Sequence, residues 1–385
     1  MSAPPFDRVR APGEEEARRR ALAVARAALA ERPAVARSAP DVRVSAVVLA
    51  ATLAAVALAL GLTSPGRATA QWVGDHLSDL TSRDPKPAER PPAASRYAPL
   101  PGGGRLLAVN AQGLFAFGLG AAPRELLRDV DAAAWSPHGR FVAAVRGNRL
   151  LAVDLGGRVH WSHAEPRAIR WPIWSPSGFR VAYVTNRREI DVIAGDGTGA
   201  HLVAGSGRTR PVWQPGVAAE RLATVDAASR VALRVADTGH VLWRARMDRA
   251  PRELAFTPDG RRLYVLGRQR VIVLSAATGR RLSTTPRTPG VFNLALAPRA
   301  GGGYAILRRR LAAPRQSEVV VGTKVVATDP GRIRAIAFSP HGDWLALDRP
   351  AVDGWDLLHL RGTTVDRART LAAGHDARLS GWCCR

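Results

Sequence analysis

A proline recurs through the last three quarters of the chain at a nearly constant interval. Pro101, Pro137, Pro176, Pro215, Pro258, Pro298 and Pro340 are separated by 36, 39, 39, 43, 40 and 42 residues. Each is embedded in a similar phrase. WSPHGRFVAAV (Trp135 to Val145) returns as WSPSGFRVAYV (Trp174 to Val184), FTPDGRRLYVL (Phe256 to Leu266) and FSPHGDWLALD (Phe338 to Asp348). Weaker copies are LPGGGRLLAV (Leu100 to Val109), WQPGVAAERLATV (Trp213 to Val225) and LAPRAGGGYAIL (Leu296 to Leu307). A self-similar period of about 40 residues means one supersecondary unit that buries its faces only by stacking on copies of itself.

The content of each unit points to strands. After each marker comes an apolar run, then a second, such as RLLAVDL (Arg149 to Leu155) or QRVIVLS (Gln269 to Ser275). A Gly-bearing turn follows, as in DGTG (Asp196 to Gly199) and DTG (Asp237 to Gly239), and then a third strand such as RVHWSHA (Arg158 to Ala164). Gly supplies the positive φ of tight hairpins. No segment here holds a helical period. Four short strands per 40 residues is one blade, so the expected fold is all-β: a β-propeller over residues 96–385, seven-bladed, with six blades as the alternative. In the phase this spacing suggests, Trp135 ends the outer strand of one blade, Ser136 to Gly139 link to the next, and Phe141 to Val145 begin an innermost strand.

The aromatic-Ser-Pro-x-Gly phrase followed by an apolar strand resembles the repeat of TolB-like propellers, relatives of the WD-repeat fold. VIAGDGTGAHLV (Val192 to Val203) is similar to the strand–turn–strand segment of that family. DTGHVLW (Asp237 to Trp243) resembles a segment of pyrroloquinoline-quinone dehydrogenase propellers. The TolB-like resemblance implies a propeller and carries no catalytic residue with it.

Ahead of the repeats, Val44 to Leu62 run for 19 residues without a charge. As a helix they span about 28 Å, close to a hydrocarbon core of about 30 Å. Arg26, Arg32, Arg37 and Arg43 precede the run and only Arg67 follows closely. The positive-inside rule then expects residues 1–43 in the cytoplasm, a transmembrane helix at 44–62, and an extracytoplasmic propeller. A cleaved leader ending at Ala70 is the rival expectation. Glu14 to Arg32 read as a helix that starts acidic and is stopped by Pro33. Residues 63–95 read as a juxtamembrane segment and a Pro-rich spacer.

The chain of 385 residues carries 56 basic and 32 acidic side chains, a net charge of +24. All basic residues but Lys86 and Lys324 are arginine, the usage of a GC-rich genome. The arginines are spread along the chain, so no nucleic-acid partner is expected. An anionic envelope polymer or a protein is the expected partner.

No catalytic, cofactor or metal residue is expected. Ser136 and His138 lie two apart in a turn whose other copies hold Ser177, Asp259 and His341 at the His138 position, so a turn residue is varying there. There is no GxSxG. His160 and His163 point to opposite faces of one strand. Asp348, Asp353 and Asp356 fit no calcium loop and read as a solvated loop. Cys383 and Cys384 have no metal-ligand spacing, and as neighbours outside the cytoplasm they are able to oxidise to a vicinal disulfide. RLSGWCC (Arg378 to Cys384) reads as the last strand, with Trp382 packing near the ring-closing blade. The expected function is a non-enzymatic, membrane-anchored binding or scaffolding module. The alternatives are a transmembrane sensor whose 14–32 helix binds a cytoplasmic regulator, and a propeller enzyme with a site in the central channel.

Overall fold

Ser-Pro-x-Gly is a hairpin turn with a side-chain cap. The Ser136 N–H donates to Phe141 O at 2.8 Å, and the Gly139 N–H to Ser136 O at 2.9 Å. Ser136 Oγ accepts the Phe141 N–H at 3.0 Å. Pro137 presets φ within the turn, and Gly139 adopts φ +62°, a left-handed conformation that costs a Cβ-bearing residue about 1 kcal/mol or more. The same cap recurs in three further copies. Ser175 Oγ takes Arg180 N–H, Thr257 Oγ1 takes Arg262 N–H and Ser339 Oγ takes Trp344 N–H, each at 3.1 Å.

This turn joins two strands of the same sheet, because Trp135 pairs with Val142. The phase expected from the spacing is therefore one strand out. Ala132–Trp135 is the innermost strand of its blade, Phe141–Arg146 the second, Arg149–Asp154 the third and Val159–Ala164 the outer one.

The computed structural model describes residues 99–384, apart from residues 120, 121, 314, 353 and 375. The helices expected at 14–32 and 44–62, and the 63–95 segment, lie outside the described residues. Within them are seven antiparallel sheets of four strands, which decides for seven blades over six. The innermost strands are Ala132–Trp135, Ile169–Trp174, Val212–Trp213, Glu253–Phe256, Val291–Pro298, Ala335–Phe338 and Arg378–Cys383. They pack on one another in a ring. The last of these is the inner strand of blade 1, paired with Arg105–Val109, so the final strand expected at Arg378 to Cys384 closes the ring. Trp382 packs against the core between blades 7 and 1, and its Nε1 donates to Gly103 O at 2.9 Å.

Both faces of each blade are buried, so the middle strands are apolar throughout rather than alternating. Leu106 and Ala108 face blade 7, with Trp344, Ala346 and Trp355. Leu107 and Val109, one residue on, face blade 2, with Val142 and Ala144. Tryptophans fasten blade to blade at the periphery. Trp161 Nε1 donates to Gly195 O and Trp243 Nε1 to Ala276 O, both at 2.8 Å. Their rings lie on the Gly-bearing turns of the next blade: a Cβ on Gly197 would sit 2.7 Å from Trp161, and one on Gly279 2.5 Å from Trp243.

Asp348 does not lie in a solvated loop. It is 1% exposed, in the strand Trp344–Arg349. Its Oδ2 accepts the Leu379 N–H at 3.0 Å and its Oδ1 accepts Arg334 Nη2 at 3.0 Å. Asp356 lies in the neighbouring strand Gly354–Arg361, where it pairs with Arg349 at 2.5 Å. Asp353 lies outside the described residues.

Gly279→Ala, which meets both a positive φ and the Trp243 ring, is expected to destabilise by roughly 1–3 kcal/mol in urea unfolding. Trp243→Ala is expected to cost about 3 kcal/mol. Because the two changes disrupt one contact, the double variant should cost less than their sum, and strict additivity would show that the ring does not rest on the glycine.

Candidate functional site

A four-stranded meander places its turns at two rims. One rim carries the Ser-Pro-x-Gly turns and the third-to-outer turns. The opposite rim carries the second-to-third turns and the loops that run from each outer strand to the next inner strand. Three concavities of the structure open on this second, loop rim.

The largest, about 530 Å³, lies over blades 3 to 5 and includes Arg170, Trp171, Asn186, Arg188, Arg208 and Pro251. No acidic side chain lines it. Arg170 donates to Asn186 Oδ1 from Nε at 3.0 Å and Nη2 at 2.6 Å. The exposed guanidinium groups of Arg188 and Arg208 make no hydrogen bond or ion pair with any described residue. Trp171 adopts φ +52°, and the ladder of its strand slips between Arg170 and Ile173. The Trp171–Pro172 pair is thus a bulge, since Pro172 has no N–H for the ladder. It turns the indole outward, 39% exposed. A left-handed tryptophan stores of the order of 1–3 kcal/mol of strain, the kind of feature that collects at binding sites.

A smaller hollow, about 120 Å³, adjoins it through Pro251 and is lined by Arg249, Arg268, Gln269, Arg270 and Arg287. Asp248 holds Arg270 at 2.6 Å, and Arg287 Nη2 donates to Gln269 Oε1 at 2.9 Å. Arg252 and Arg268 lie 4.3 and 4.9 Å from the centroid of the Phe292 ring. The third concavity, about 490 Å³ over blades 1, 2 and 7, is mixed in charge: Asp129, Asp131 and Asp376 line it with Arg334 and Arg378. The loop rim is thus polarised, arginine-rich on one side and mixed on the other.

Glu253, at the start of the inner strand of blade 5, lies close to the basic side. Burial pushes its carboxyl up to about 7, against the pull of the Leu296 N–H and of Arg210 and Arg252. The Leu296 N–H donates to Glu253 Oε2 at 2.7 Å. Between blades 2 and 3, Tyr183 OH donates to Glu165 at 2.5 Å and His163 lies 2.9 Å from the same carboxylate. Burial, then the charges of Glu165 and Glu189, lift the nearby Asp191 carboxyl to about 6.

The residues weighed from the sequence fall elsewhere. Ser136 is buried with its Oγ engaged in the turn cap, and no hydrogen bond joins it to His138. His160 lies 2.8 Å from Asp154 and His163 2.9 Å from Glu165. They do not take the opposite faces expected from their spacing: the ladder slips beside His160, and both imidazoles stand on the face towards blade 3, His160 against Phe141 and His163 against Tyr183. Cys383 and Cys384 are joined as a disulfide, packed against Gly139 at the motif rim. Among the described residues no group of three or more His, Cys, Asp or Glu side chains could hold a metal ion. The Arg170–Arg208 cleft was not singled out from the sequence. Its one local signal is a Trp-Pro pair inside a strand.

No family model matches the chain, and no curated protein matches it. The TolB-like resemblance therefore rests on the motif residues alone. Solved structures do match. The β-propeller domain of Cps50 (Swd1) from Myceliophteria thermophila has a TM-score of 0.53 at 14% identity, covering 63% of this chain and 88% of that one. A chain of a mitotic checkpoint complex has a TM-score of 0.50 at 14% identity, covering 69% and 91%. A chain of the Kuenenia stuttgartiensis hydrazine synthase has a TM-score of 0.49 at 14% identity, covering 60% and 76%. At such identities the likeness is one of fold.

A carboxyl that binds its proton more tightly when folded stabilises the fold at low pH, and that contribution is lost as pH rises through the folded value. For Glu253 the window runs from about 4.5 to about 7. Glu253→Gln keeps an acceptor for the Leu296 N–H without the charge. Relative to wild type it is expected to gain roughly 1–3 kcal/mol between pH 5 and pH 8, read from paired urea titrations. A difference that does not change with pH would refute this assignment.

Proposed function

We propose that this chain is a non-enzymatic binding module, a propeller scaffold that holds a protein or an anionic envelope polymer on its loop rim. The observation that carries this reading is the polarised rim. Arginines that lack carboxylate partners gather there around an exposed, strained tryptophan, in the loops where the repeats differ. Rigid blades presenting variable loops suit recognition. We further propose that Val44 to Leu62 anchor the chain in a membrane with the propeller on the extracytoplasmic side, supported by the uncharged 19-residue run and the arginines before it. Among the described residues no helix is long and apolar enough to cross a membrane, and the proposed span lies outside them.

Replacing Arg170, Arg208 and Arg268 together by Glu should reduce capture of an envelope fraction by the immobilised propeller about tenfold or more. Raising ionic strength should reduce wild-type capture steeply, because exposed charges are screened. His138→Ala and His341→Ala, in turns of the opposite rim, should leave capture unchanged. Equal loss from both rims, or capture indifferent to salt, would contradict the assignment. For the anchor, full-length protein should stay with membranes through alkaline extraction. Recovery of a soluble form beginning near Gln71 would show a cleaved leader instead.

A further inference from the structure

The basic cleft has a more specific chemistry than positive charge. An exposed indole, Trp171, and the side chains of Arg170, Arg188 and Arg208 share its lining. Planar guanidinium forks match carboxylates in paired hydrogen bonds. An exposed tryptophan offers a broad apolar face to a flat or ring-shaped partner. We propose that the cleft of Arg170, Trp171, Arg188 and Arg208 binds an acidic polysaccharide, a polymer of sugar rings each bearing a carboxylate. This rests on the reading of the loop rim as the binding face and names the class of its ligand.

Three observations support a carboxylated sugar polymer. First, the cleft of about 530 Å³ contains one exposed aromatic and a polar amide, Asn186, whose Oδ1 is already taken by Arg170. The Asn186 NH2 is left to donate to a hydroxyl, while the apolar C–H face of a pyranose rests on the indole. Second, the cleft continues through Pro251 into the hollow of Arg249, Arg268 and Arg287. Cations repeated along a continuous track suit an anion repeated along a chain. Third, a single-stranded nucleic acid stacks successive bases on successive aromatics. The next aromatic here, Phe292, has Arg252 and Arg268 within 5 Å of its ring centroid, so it is not open to a base.

The backbone at Trp171 supplies a clean variant. At φ +52° glycine is the residue that fits with least strain, so Trp171→Gly removes the indole while easing the turn. Calorimetric titration of the full-length protein with oligogalacturonate at low ionic strength should show binding. Its methyl-esterified counterpart should bind at least tenfold more weakly. Trp171→Gly should weaken oligogalacturonate binding about tenfold with the melting temperature unchanged or raised. Arg208→Gln should weaken it several-fold and flatten its dependence on salt. The proposal is overturned if Trp171→Gly binds as tightly as wild type. It is also overturned if oligothymidylate or poly-glutamate of equal charge matches oligogalacturonate. Wild-type protein that ignores oligogalacturonate, yet whose envelope capture still fails on Arg-to-Glu reversal, would remove the sugar assignment and leave the binding rim standing. Loss of neither ligand on reversal would remove both.

Discussion

Everything in this fold hangs on the pairing of Arg378–Cys383 with Arg105–Val109. A ring of blades has an open seam until its last strand finds its first sheet, and that contact spans nearly the whole propeller sequence. The loop entropy of such a contact is offset by groups gathered at the seam. Asp348 of blade 7 takes the Leu379 N–H, and Arg334 bonds both Asp348 and Ala377 O. Burial raises the Asp348 carboxyl, so its hydrogen bonds are what make the buried charge tolerable. The buried pair therefore fixes where the last strand sits rather than adding much net stability.

With the ring closed, the blades become a frame on which the loops are free to differ. The two rims then take different work. At the motif rim the side chains are spent on the backbone: serine and threonine hydroxyls cap turns, Arg105 bonds Gly139 O, and Arg299 reaches across to Gly342 O. At the loop rim of blades 3 to 5 some arginines are engaged locally, Arg170 with Asn186 and Arg270 with Asp248, and others are not. Arg188 and Arg208 face solvent with no ion pair to any described carboxylate, while Arg308 and Arg310 of blade 6 share the buried Glu318. In a strongly basic chain the arginines that already have carboxylates are structural, and those without them define the surface open to a partner.

Much of the architecture was legible because the backbone demands it. Pro137 and Gly139, and their copies, answer to fixed dihedral requirements, so their spacing reports blades directly. The Gly197 and Gly279 turns were legible for the same reason, though the Trp161 and Trp243 rings that crowd them belong to neighbouring blades. The phase was not legible. A repeating unit can be cut anywhere, and it is the pairing of Trp135 with Val142, with the packing of the first strand of each blade into the ring, that makes Trp135 end an inner strand rather than an outer one. Asp348 misled because a carboxylate beside Pro350 and Gly354 looks solvated until Arg334 and Leu379 arrive from distant sequence. The cleft was hidden likewise: Arg170, Arg188, Arg208 and Pro251 meet only once three blades stand side by side.

The Trp382–Gly103 hydrogen bond sets the place at which the ring is fastened. It ties the described start of the chain to its last strand at the motif rim, where Leu100 to Gly104 run into blade 1. A strand of five or six residues, about 17–20 Å of extended chain, separates that attachment point from the loop rim. The arginines and the outward-turned Trp171 of the loop rim therefore lie a full strand's length from the point where the ring is fastened.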